Sequence, residues 1–79
     1  MARKKDKLET LNSVKSWTTV NHKEVARIKM NFERTFQKEL HNWQNHPDIS
    51  HVIDDIVDLE STIDSLNFYV NDAIDNLTE

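Results

Sequence analysis

Three histidines and an aspartate crowd the only proline of the chain: His41, His46 and His51 with Asp48, around Pro47. Imidazole nitrogens and a carboxylate are a donor set for zinc and similar divalent ions, and a turn at Pro47 could gather them. The spacing argues against a shared ion. Steps of five residues turn an α-helix by about 140°, so His41 and His46 share a site only if the turn bends them together. No metal or other cofactor is expected. Ser50, His51, Asp54 and Asp55 are the residue types of nucleophilic catalysis, yet neighbours along a helix point around the cylinder and form no triad by adjacency. Glycine is absent, which excludes phosphate-cradling loops. The chain is expected not to be an enzyme.

Charge is the more informative chemistry. All ten bases lie at or before Lys38, whereas residues 39 to 79 hold ten acids and no Lys or Arg. Residues 22 to 44 carry five bases against three acids, and residues 47 to 79 carry nine acids, so a hairpin of the two stands at −7. Residues 1 to 21 add five bases against two acids, which leaves the total of −4. Internal pairing therefore cannot neutralise the acids. Asp54, Asp58, Asp64, Asp72, Asp75 and Glu79 fall at outward positions of the helix they share. A surface kept acidic at such positions suits a protein partner with a basic face, including a nucleic-acid-binding protein. Direct imitation of nucleic acid by one chain fails on density, since nine charges on 33 residues give one per roughly 5–6 Å, against about 1.7 Å along a duplex. Phe68 and Tyr69 lie where a lone hairpin leaves them exposed, either covered by Trp17 and Leu11 or serving as an aromatic anchor within the acidic rim.

The opposite class is nucleic-acid binding through Arg3, Lys4, Lys5 and Lys7. Four bases on a chain end bind weakly and in a salt-dependent way, and the acidic body repels the same polyanion. A purely structural or scaffold role is the remaining alternative.

These groups need elements to position them. With no glycine and one proline the chain has no means for tight hairpin turns, so it must be mostly helix. From residue 47 to 79, Ile49, Ile56, Ile63, Val70 and Leu77 recur every seven residues at position a. Val52, Leu59, Leu66 and Ala73 fill position d, and Ile53, Val57 and Ile74 widen the stripe. Pro47 and Asp48 suit the first turn of that helix. Upstream, Asn21 stands three residues before Glu24 in the manner of a cap, with Val20 and Val25 as a hydrophobic staple, and predicts a helix start near His22. From there Val25, Ile28, Phe32, Phe36, Leu40 and Trp43 follow one face, with Trp43 plugging the bundle end. Leu8, Leu11, Val14, Trp17 and Val20 recur every third residue and rotate around a helix, which predicts only a short basic segment over 5 to 16.

The expected fold is all-α: an antiparallel hairpin of helices over about 22–44 and 47–78, with residues 1–21 as a short N-terminal helix or arm. Below about 80 residues a single core supplies only about 3–5 kcal/mol, so a dimeric four-helix bundle is expected, with a monomeric three-helix bundle as the alternative. Cysteine is absent, which excludes disulfides and fits a reducing compartment. The start, MARKKDKLETLN, has no apolar run behind its basic head, and no stretch approaches about 18 apolar residues, so a cytoplasmic, membrane-free protein is expected. Small acidic helical proteins of this style suit phages and mobile elements.

Overall fold

The computed structural model describes residues 3 to 78; Glu79, one of the acids singled out above, lies outside the described residues. Every regular element among the described residues is helical. Helix α1 spans Lys4–Thr35, the short α2 spans Gln37–His41, a 3-10 turn spans Trp43–Asn45, and α3 spans Pro47–Thr78. The two long helices pack side by side as an antiparallel hairpin 54 Å long and 20 by 17 Å in section.

The break expected between residues 21 and 22 does not form, nor does a separate helix over 5 to 16: α1 is continuous for 32 residues. Two causes combine. No Gly or Pro interrupts this stretch, and Leu11, Thr18, Val25 and Phe32 make a seven-residue row that holds one face. Thr18 is polar, which hides the row in an apolar pattern. Asn21 does not cap; its side-chain amide donates to the Trp17 carbonyl at 2.8 Å, one turn back inside the helix. Thr10, Ser13 and Thr19 likewise satisfy their hydroxyls on carbonyls four residues earlier.

The first long helix also ends sooner than residue 44. Phe36 leaves helical geometry at φ −107°, ψ 30°, while its ring lies 4.7 Å from that of Phe32. Trp43 then sits in the 3-10 turn at 54% exposure and does not close the bundle end. Every described residue turns the corner without positive φ, so the connection manages without glycine. Pro47 holds His46 on the extended side, at φ −133°, and opens α3, whose first turn is closed by the Ser50 N–H on the His46 carbonyl.

The seam of the hairpin is narrow. Val25, Ile63 and Val70 are its only buried apolar side chains among the described residues, with Thr18 buried between them. On α3 the residues turned toward α1 are those at a together with Ile53, Glu60, Asn67 and Ile74 at e, all buried or half-buried. Position d faces elsewhere: Val52, Leu59 and Leu66 remain exposed. A two-helix seam needs a stripe only two positions wide, and a with e satisfies it.

Polar ties cross this seam. The Thr18 hydroxyl donates to the Lys15 carbonyl at 2.7 Å and stands 3.3 Å from the side-chain amide of Asn67. Lys29 Nζ donates to Glu60 Oε1 at 3.3 Å, both side chains being largely shielded. Thr18→Val leaves the half-buried Asn67 amide without its partner and is expected to cost about 1 kcal/mol, whereas Thr18→Val with Asn67→Leu should restore or exceed the starting stability. Urea unfolding followed by circular dichroism measures both.

Candidate partner-binding surface

The acidic residues singled out in the sequence all lie on α3, and their directions follow from its 100° step per residue. Relative to Ile63 in the seam, Asp54 and Asp72 point directly away from α1, and Asp58, Asp64 and Asp75 flank them within an arc of about 120°. All five are exposed. Phe68 falls inside this arc and Tyr69 about 20° beyond its edge. The two rings meet edge to face with centroids 5.4 Å apart, and each residue is 67% exposed. Trp17 and Leu11 do not cover them; α1 passes on the other side of α3.

Four of the seven residues converge. Asp64, Phe68, Asp72 and Asp75 line one shallow, open depression of about 280 Å³ together with Asn67 and Asn71. Steps of four, four and three residues put them on a single stripe of α3. Asp54 and Asp58 lie farther along the helix toward the turn, outside the depression, so the surface is a strip and not a pocket. The depressions found among the described residues are open to solvent.

Electrostatics along the strip is unrelieved. Among the described residues Asp54, Asp58, Asp72 and Asp75 make no ion pair, and α3 has no base in its last turn. Acids at a helix C-terminus oppose the helix dipole, by a few tenths of a kcal/mol each. Asp64 is different: its Oδ1 lies 2.9 Å from His22 Nε2 on α1. It therefore ties the two helices as well as lining the depression. Elsewhere Arg27 donates to Glu24 at 2.7 Å, and that hydrogen bond, reinforced by the guanidinium charge, holds the Glu24 carboxyl below its usual range.

Chain comparison gives no independent guide. No family model, curated protein or solved structure matches this chain. Its surfaces must be read on their own chemistry.

The other candidates are dispersed. Arg3, Lys4, Lys5 and Lys7 are exposed at the start of α1, with Asp6 between them and no side-chain cap on the helix. His41 ends α2, His46 is the half-buried residue before α3, Asp48 lies in the first turn of α3 and His51 begins the second. No three His, Asp or Glu side chains among the described residues approach closely enough to hold an ion. Ser50 and Asp54 line one depression with Leu40, Trp43 and Ile53, and His51 does not join them. No described helix is long and apolar enough to cross a membrane.

Sequence reasoning missed the polar groups that tie the hairpin: Thr18 with Asn67, His22 with Asp64, and Lys29 with Glu60. A signal was present. Glu60 and Asn67 are seven residues apart and continue the row of Ile53 and Ile74, so polar residues inside an apolar row marked the seam.

Proposed function

We propose that this protein is a small, non-enzymatic interaction module, a regulator or inhibitor that engages a basic protein surface through the outer strip of α3. The observation that carries the reading is the depression shared by Asp64, Phe68, Asp72 and Asp75. It sets the carboxylates of Asp72 and Asp75, which make no ion pair among the described residues, beside an exposed aromatic ring, the pairing that Arg- and Lys-rich surfaces meet with ion pairs at the rim and cation–π contact at the centre. Asp54 and Asp58 extend the strip, and Tyr69 flanks it. The reading places the protein in the cytoplasm and includes self-association, because the hairpin alone buries only three apolar side chains among the described residues. A nucleic-acid-binding protein is a fitting partner, since its basic face is the complement of this strip.

The test compares capture from nuclease-treated host lysate by the wild type and by Asp54→Asn, Asp58→Asn, Asp72→Asn and Asp75→Asn combined, with helicity confirmed equal. The expected result is a partner retained by the wild type and lost, by tenfold or more in affinity, by the variant, since four rim charges at about half a kcal/mol each sum to that order. Equal capture by both would sink the reading. Retention of DNA or RNA that disappears with Arg3→Gln, Lys4→Gln and Lys5→Gln would instead establish the nucleic-acid alternative, and insensitivity to both sets would leave a structural role.

A further inference from the structure

The hairpin is too extended for its mass. A 9.3 kDa monomer of ordinary compactness exposes about 5,000 Å² and has a radius of gyration near 12 Å. This one exposes 6271 Å² with a radius of 17.4 Å. The excess is roughly 1,300 Å², close to the footprint of one broad face of the hairpin, 54 by 20 Å. Two such faces in contact bury about 2,000 Å² in total, the size of a specific stable interface.

The two broad faces differ. Antiparallel neighbours wind in opposite senses, so the same side of the seam on both helices belongs to one face. One face carries the ties His22–Asp64 and Lys29–Glu60. The other carries Trp17, Val20 and Ile28 from α1 with Val52, Leu59 and Leu66 from α3, which are 36 to 61% exposed. Between Val52 and Leu66 this apolar face carries two charges, Glu24, paired with Arg27, and Asp55.

We infer that this face seats a second copy of the chain, with the two-fold axis parallel to the hairpin so that each α1 lies on the α3 of the other copy. It rests on the self-association included above and not on any basic partner. Register and charge choose the arrangement. The pairs Thr18–Asn67, His22–Asp64 and Lys29–Glu60 fix which residues share a level along the hairpin. By that register Ile28 meets Leu59 of the partner subunit and Val20 meets Leu66 of the partner subunit. At the edge, Arg27 reaches the level of Asp58 of the partner subunit. Helix α1 has eight bases against four acids, and α3 has eight acids and no Lys or Arg. A two-fold across the hairpin stacks α3 on α3, acid upon acid. Helix neighbours sit about 8–10 Å apart, near one screening length in physiological salt, so they outweigh the diagonal pairs. The axis along the hairpin therefore alternates basic and acidic helices around the bundle.

This arrangement puts the two α3 helices on opposite corners. Asp54 and Asp72 stay open on each, and the acidic strips do not merge, so the dimer offers two separate sites and does not imitate a nucleic-acid strand.

Light scattering at micromolar concentration is expected to give twice the 9.3 kDa mass; a monomeric mass overturns the self-association itself. With the dimer established, Leu59→Asp and Val20→Asp are each expected to weaken it at least a hundredfold, while Phe68→Asp, exposed but off this face, leaves it within about twofold. A dimer that survives both face variants overturns the choice of face. Because the chain lacks cysteine, a spin label on Gln44→Cys reads the axis on the intact dimer and does not depend on any variant monomer folding. The expected separation is about 20–30 Å, two turns at one end of a bundle with this helix spacing. A separation approaching the 54 Å length of the hairpin overturns the arrangement.

Discussion

His22→Pro is expected to cost about 3 kcal/mol or more and to leave a chain largely unfolded at room temperature. In a continuous α1 the N–H of residue 22 bonds the carbonyl of residue 18, and a proline there both removes that bond and drives its ring against the preceding turn. The same substitution at the start of a helix capped by Asn21 would be tolerated, since the first helical N–H has no partner to lose. The variant thus distinguishes a helix that passes through residue 22 from one that begins there. Two controls isolate the backbone effect. His22→Ala removes the contact with Asp64 alone and, at an exposed pair, should cost under about 1 kcal/mol. Lys4→Pro sits in the first turn of α1 and should be nearly neutral. Thermal unfolding followed by ellipticity at 222 nm reads all three, and a His22→Pro midpoint within a few degrees of wild type would show that α1 is interrupted.

Ile63→Ala should be nearly as damaging. Ile63 is 3% exposed and stands at the middle of the seam, between Glu60 and Asn67. Truncating a buried Ile to Ala typically costs about 2–5 kcal/mol, the lost transfer energy plus a cavity that rigid helices cannot close. A single core in a chain of this size supplies only about 3–5 kcal/mol, so most of the net stability goes. In temperature terms each kcal/mol moves the midpoint of a domain this small by about 4–8 °C, which makes a fall of about 10 °C or more the expected reading. Leu59→Ala provides the contrast. Its side chain is half exposed in one hairpin, so its cost should be small in dilute solution and grow with protein concentration as the apolar face becomes covered. Equal and concentration-independent effects at the two positions would contradict the placement of the seam on a and e.

The two long helices were unequally legible in the sequence. Helix α3 could be read because its a and d rows are apolar throughout and Pro47 marks its first turn. Helix α1 could not, because Thr18 and Asn21 occupy its seam and break the apolar rhythm that periodicity detects. The three-residue series Leu8, Leu11, Val14, Trp17, Val20 mixes seam residues with residues of the open face, so it describes neither. Which part of the stripe on α3 meets α1 was not legible, for a physical reason. The apolar stripe is wider than two helices need, and sequence alone does not say which edge of it the partner helix takes. The outward direction of Asp54, Asp58, Asp72 and Asp75 was legible, since charge follows solvent. The tether between Asp64 and His22, and the uncovered state of Phe68 and Tyr69, were not; both depend on which side of α3 the first helix passes.

The cross-seam ties also set how the hairpin opens and closes. They join residues 31 apart at Lys29–Glu60 and 49 apart at Thr18–Asn67, a difference in loop-closure entropy of only about 0.4 kcal/mol. Once the turn through residues 36 to 46 is made, pairing can run along the helices like a zipper with little entropic resistance, the regime of fast-folding, locally connected helical proteins. Beyond Thr18 toward the termini no polar tie is present among the described residues, and only half-buried Leu8, Leu11 and Val14 hold α1 in place. Unzipping therefore starts at that end. The basic segment at the start of α1 is released while the turn is still closed, and the basic and acidic ends of the molecule come apart as separate events.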